Sequence, residues 1–193
     1  MTLRESVYVL EHRAPLQQCS RAHESEAIDR PGLRVVPVRD RGFLLLQGTP
    51  TDIRFHDAIL EQLGVRLPAP QTTIIRGDSA LLWMTPTEWL LELPAAPTLA
   101  VQAALSTRLA SALAAATDVS DSFARFDVSG EHAADVLMTG CSVNLRSHAL
   151  AAGQVVRTAV ADVPAILWRS GDSQPFRCLV DRSVAEHFWN WLA

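Results

Sequence analysis

The chain has 193 residues, 48% hydrophobic and 20% charged, an ordinary globular composition and long enough to bury a core as one domain or two joined halves. Its net charge of −4 argues against general nucleic-acid binding, which needs a positive field to offset phosphates. Cys19, Cys141 and Cys178 are dispersed, with no C-x-x-C pair, which excludes a simple disulfide framework or a thiolate zinc site built by this chain alone.

All 17 basic residues are arginine, which a GC-rich coding bias explains. No segment reaches the roughly 20 apolar residues that span a membrane, and the N-terminus does not read as a signal peptide, so a cytoplasmic location is expected.

Residues 1–31 are polar, broken by Pro15 and Pro31, and without periodicity; they read as an N-terminal arm, either frayed or ordered by a partner. A single domain is expected from 32 to 193. Strands are predicted at Leu33–Val38 and Phe43–Gln47. A helix follows with Phe55, Ala58, Ile59 and Leu63 on one stripe, Thr51 or Asp52 as N-cap and Gly64 as its stop. Thr72–Arg76, Ala80–Met84 and Trp89–Leu93 read as three more strands. The next helix follows Pro94 and Pro97, with Val101, Leu105, Leu109 and Leu113 in one row.

The order then repeats. Strands are predicted at Asp118–Ser120 and Phe123–Val128, with a helix capped by Ser129 and burying Ala133, Val136 and Leu137. Val155–Val160, Ala165–Trp168 and Phe176–Val180 are the remaining strands, and Ser183-x-x-Glu186 reads as a capping box for the last helix. Trp83 and Trp168 are 85 positions apart, as are Thr98 and Ser183. Two ββαβββα halves, about 33–113 and 117–193, predict an internally duplicated α+β domain with a pseudo-symmetric seam.

Catalytic signatures are sparse. No G-x-G-x-x-G follows a strand and no Walker loop is present. Arg76-Gly77-Asp78 reads as a turn. Asp118 and Asp121 could supply acid–base chemistry or hold a pterin-like amide edge, but Asp and Ser at a bend commonly bond their own backbone, and that reading is favoured. His132 and His187, each preceded by Glu in a helix, read as solvated surface.

In the last helix, Val184, Ala185, Phe188, Trp189, Trp191 and Leu192 cover an arc of roughly 160°, wider than one core face requires. Trp189 is expected in the core. Trp191, with His187 beside it, is the candidate contact with another subunit.

Four segments carry a resemblance. Thr85-Pro-Thr-Glu-Trp-Leu-Leu-Glu-Leu93, the block from Asp118 to Leu137, Cys141-Ser-Val-Asn-Leu145 and Phe188-Trp-Asn-Trp-Leu192 resemble, in this order, motifs of the gamma subunit of heterotetrameric sarcosine oxidase. Thr85-Pro86 departs from the commoner Gly-Pro of that family. The resemblance runs from about Leu33 to Ala193 and implies a fold like the folate-binding T-protein of glycine cleavage. It further implies alpha, beta and delta subunits as partners in oxidative demethylation of sarcosine to glycine, yielding hydrogen peroxide and, with tetrahydrofolate, methylene-tetrahydrofolate. FAD, FMN, NAD, tetrahydrofolate and zinc would belong to the other subunits, so no catalytic, cofactor-binding or metal residue is expected here. The alternative is a stand-alone aminomethyl-folate-binding protein of the T-protein type, which would need a further C-terminal domain and an acidic site.

Overall fold

The structure, a computed structural model, describes residues 27–146, 150–171 and 173–193. A short strand, β1 (Ile28–Arg30), precedes two units of identical element order. The first runs β2 (Leu33–Val38), β3 (Arg41–Gly48), α1 (Ile53–Leu63), β4 (Thr73–Arg76), β5 (Ser79–Thr85), β6 (Glu88–Pro94) and α2 (Thr98–Leu109). The second runs β7 (Ala114–Asp118), β8 (Phe123–Ser129), α3 (Ala133–Thr139), β9 (Val155–Val160), β10 (Val163–Trp168), β11 (Phe176–Asp181) and α4 (Ala185–Leu192). This is the α+β, duplicated ββαβββα pattern expected from the sequence.

The units exchange their first strands. β2 pairs with β8 of the second unit, and β7 pairs with β3 of the first. The sheets are therefore β1-β2-β8-β11-β10-β9 and β7-β3-β6-β5-β4, antiparallel throughout. Neither sheet is complete without a strand from the other half, so the halves are interlocked.

Alternation along the strands makes three cores in four layers. One face of the second unit's sheet packs on α3 and α4 through Leu137, Phe126, Leu167, Phe188 and Trp189. One face of the first unit's sheet packs on α1 and α2 through Leu44, Phe55, Ile59, Leu91 and Leu105. The other faces meet each other, where Phe43, Leu82 and Leu90 oppose Ile166, Trp168 and Leu179. At one margin, Thr73 N donates to Gly153 O (2.8 Å) and Val155 N to Gln71 O (3.0 Å), stitching the sheets together.

Local signals explain several element ends. The Asp52 carboxylate accepts from Arg54 N at 3.0 Å to cap α1, and Gly64, at φ 66, closes it by donating to Leu60 O. Gly77 and Asp78 form the two-residue turn between β4 and β5, so the Arg-Gly-Asp tripeptide is a hairpin corner.

Other expectations are corrected. Ile28–Arg30 pair with β2, so the expected arm cannot extend to residue 31; its first 26 residues lie outside the described ones. α2 ends at Leu109, and Leu113, placed in its buried row by spacing, is 87% exposed. The second unit opens earlier than predicted, at Ala114, and Ser120 belongs to a 3-10 turn. Ser129 does not cap α3; its hydroxyl contacts Arg34 O at 3.4 Å. Asp181, not Ser183, caps the final helical segment, accepting from Ser183 N at 2.8 Å.

Trp83 and Trp168 occupy corresponding strands but opposite faces. Trp83 packs against the helix-side core of its sheet, whereas Trp168 is fully buried between the sheets. Counted from the tight turns that pair Arg76 with Ser79 and Val160 with Val163, Trp83 lies four residues along β5 and Trp168 five along β10, so alternation puts them on opposite faces.

Candidate functional site

Two constellations stand out, one in the seam and one beside α4. The seam holds charge. Glu92 on β6 is fully buried in the run Trp89-Leu-Leu-Glu-Leu93, and Arg125 on β8 is 8% exposed. Their side chains form an ion pair across the sheets. Arg41 Nε donates to the same Glu92 oxygen at 2.9 Å, and both Asp127 oxygens accept from Arg125 at 2.9 Å. Burial opposes the Arg125 charge, but Glu92 and Asp127 outweigh it and raise its pKa above the ordinary guanidinium value.

The second Glu92 oxygen is buried without a partner. Such a grouping is costly to desolvate, and its ion pairs offset that cost. Sequence reasoning passed over it, although one signal was legible: Glu92 and Arg125 are charged residues with apolar neighbours on either side within strands.

The acidic pair Asp118 and Asp121 has structural work in this arrangement. Asp118 accepts from Ser120 N (2.9 Å) and from the Ser120 hydroxyl (2.5 Å), while that hydroxyl oxygen accepts from Phe43 N (3.0 Å). Asp121 pairs with Arg182 at 3.2 Å. These contacts pin the crossover from β7 to β8 against β3.

At the other site α4 brings Trp191 and His187 to one groove, which Gly140, Cys141, Ala161 and Asp162 also line. Ala161 and Asp162 form the two-residue corner of the β9–β10 hairpin, both at positive φ (53° and 63°), the conformation such a turn requires and non-glycine residues adopt at a cost. Ala161 N donates to Gly140 O at 3.1 Å, and His187 Nε2 lies 3.2 Å from Ala161 O, so that nitrogen carries the proton. A Cβ on Gly140 would stand 2.7 Å from Trp191 Cζ2, so the ring's position depends on glycine there.

Trp189 is buried and stacks on Phe126 at 6.1 Å and 25°, as expected of a core residue. Trp191 is half-buried, 6.0 Å from the Phe188 ring, and His187 is exposed. His132 is also exposed, near Glu131 at 3.8 Å. Burial pushes the Cys178 thiol above its ordinary pKa, which makes it a poor nucleophile. Among the described residues no group of three or more His, Cys, Asp or Glu side chains is placed to hold a metal, and no helix is long and apolar enough to cross a membrane.

Comparison with known proteins matches residues 47–193 to the sequence model described as "Sarcosine oxidase, gamma subunit family". The sarcosine oxidase subunit gamma of Corynebacterium sp. strain U-96 is 32% identical over 175 residues, covering 86% of this chain and 82% of that protein. The corresponding subunit of an Arthrobacter species is 30% identical over 140 residues, covering 71% and 67%. A chain of the heterotetrameric sarcosine oxidase from Corynebacterium sp. U-96, solved in complex with pyrrole 2-carboxylate, superposes with a TM-score of 0.83 at 27% identity, covering 94% of this chain and 92% of that one. The glycine cleavage system aminomethyltransferase T from Bartonella henselae shares the fold, with a TM-score of 0.67 at 14% identity, covering 92% of this chain and 56% of that one.

Proposed function

The chain belongs to the sarcosine oxidase gamma subunit family, and from that premise we propose that it is the non-catalytic subunit of a cytoplasmic heterotetramer with alpha, beta and delta partners. The assembly oxidises the N-methyl group of sarcosine, giving glycine and hydrogen peroxide, with methylene-tetrahydrofolate when tetrahydrofolate is present. FAD, FMN, NAD, tetrahydrofolate and zinc are held by the other subunits.

The observation that carries this reading is the near-complete mutual coverage, 94% and 92%, with a chain of a solved heterotetrameric sarcosine oxidase. The physical chemistry of the chain agrees with a structural role. Its two sheets close on each other through large apolar side chains, and the buried Glu92 carboxylate is paired with Arg41 and Arg125.

We assign the groove beside α4 to subunit contact. Trp191 offers a half-buried aromatic face held in place by Gly140, and His187 sits at its rim, its Nε2–H committed to Ala161 O. Aromatic anchors in such settings carry a large share of binding energy.

Purified alone, the chain should carry no flavin absorbance and produce no peroxide from sarcosine. Combined with alpha, beta and delta subunits it should enter a complex that does both. Stoichiometric flavin or turnover from the isolated chain would overturn the non-catalytic role.

A further inference from the structure

We propose that Arg177 is a docking point for a carboxylate side chain of another subunit, presented where the seam face of the β1-β2-β8-β11-β10-β9 sheet is half-exposed. The inference rests on the subunit reading above.

Arg177 on β11 lies directly opposite Trp168 on β10 and Asp127 on β8. Residues opposite each other in an antiparallel ladder share a face. Trp168 belongs to the core between the sheets, so Arg177 is on the seam face too. It joins a charged group of three guanidiniums, Arg41, Arg125 and Arg177, and two carboxylates, Glu92 and Asp127.

Three positive charges against two negative leave one positive charge in surplus. Asp127 is taken by Arg125 through both oxygens, and one Glu92 oxygen holds both Arg41 and Arg125 while the other is buried without a partner. Among the described residues Arg177 makes no hydrogen bond or ion pair. Burial, and then repulsion from Arg125, push its pKa below the ordinary guanidinium value despite the attraction of Glu92 and Asp127. The surroundings therefore oppose its charge as they stand.

A carboxylate arriving from outside would correct that imbalance and accept two parallel N–H bonds from the guanidinium. The setting suits a protein donor. Val36, opposite Asp127 on β2, is half-buried on the same face and adds an apolar side chain beside the charged ones. Arginine is enriched in protein–protein interfaces. By contrast, Arg34 on the same strand already has a carboxylate, Asp29, at 2.9 Å.

The test compares R177Q, R177K and R177E in the full-length chain. Melting of the free chain should be unchanged or slightly raised in R177Q, since an opposed charge is removed. Binding to the other subunits should weaken about tenfold or more in R177Q and further in R177E, whereas R177K should lose less. Wild-type affinity should also fall more steeply with salt than that of R177Q.

Wild-type assembly with R177Q and R177E assembling equally well would overturn the inference and leave the subunit reading standing. Failure of the wild-type chain itself to assemble would overturn both. Acetate provides the remaining arm: if it raises the melting temperature of wild type but not of R177Q, while assembly is indifferent to the substitution, the site takes a small carboxylate and the proposed protein donor is wrong. R177Q decides the matter should R177E fail to fold.

Discussion

Glu92 and Arg125 form a buried ion pair between halves of the chain that otherwise pack on different helices. Glu92 also receives Arg41 from its own half, so one carboxylate balances two guanidiniums at the seam. Replacing Glu92 with Gln should therefore destabilise the chain by about 3–5 kcal/mol, because Arg41 loses its carboxylate and the buried Arg125 is left with Asp127 alone. A joint Glu92→Leu, Arg125→Met substitution should recover only part of that loss, since it replaces the ion pair by apolar groups but leaves Arg41 and Asp127 without these partners. Urea denaturation of the three proteins checks both. Equal loss from the single and joint changes would show that apolar replacement cannot fill the seam.

The two tryptophans of α4 should behave differently. Trp189 is 2% exposed against Phe126, and Trp189→Ala should cost about 3–5 kcal/mol in the isolated chain. Trp191 also packs on its own domain, against Phe188 and Gly140, so its loss should still cost about 1–2 kcal/mol. What separates them is assembly: Trp191→Ala should weaken subunit binding beyond its effect on folding. Melts combined with co-purification decide this, and intact assembly of the Trp191 variant would return the whole helix to the core.

Gly140→Ala tests how the groove is built. The added methyl would meet Trp191 Cζ2 at 2.7 Å and Ala161 N at 2.8 Å. We expect about 1–3 kcal/mol of destabilisation from overpacking, with a shift in tryptophan fluorescence as the ring is displaced. Unaltered emission and stability would mean that the helix and hairpin separate easily, which the Ala161–Gly140 hydrogen bond argues against.

Much of this architecture was legible in the chain. The element order followed from alternation in the strands and the 3.6-residue stripe of Phe55, Ala58 and Ile59. The strand exchange was not legible, because β2 and β7 could satisfy their alternation against either sheet, and the choice is made by contacts far apart in sequence. Leu113 was misplaced because an i+4 row continues on paper after the helix has ended at Leu109. The Trp83–Trp168 spacing marked a true correspondence of strands, but the two rings stand one residue apart relative to their hairpin turns, which the spacing alone does not show. At the groove, Trp191 and His187 were visible as the edge of an over-wide apolar arc, whereas Gly140, Ala161 and Asp162 come from loops that carried no signal.

The α4 entrance offers a prediction about pH. Hydrogen bonds from the Ser183 side chain and then its backbone N–H lower the Asp181 pKa below 3.8. A carboxylate depressed in the folded state contributes stability that is fully present above its unfolded pKa and lost as pH falls through the folded one. Asp181→Ala should thus be less stable than wild type by about 1 kcal/mol at neutral pH, and the gap should close below about pH 4. Parallel melts from pH 7 to about pH 3 would show it; a gap independent of pH would mean that the ionised carboxylate is not what caps the helix.

The most direct measurement of the subunit assignment is native mass spectrometry of this chain, tagged and co-expressed with the alpha, beta and delta subunits of a heterotetrameric sarcosine oxidase. The account predicts one complex containing a single copy of each chain, with sarcosine-dependent peroxide production recovered through the tag. Recovery of the tagged chain alone, beside an active complex of the other three, would contradict it.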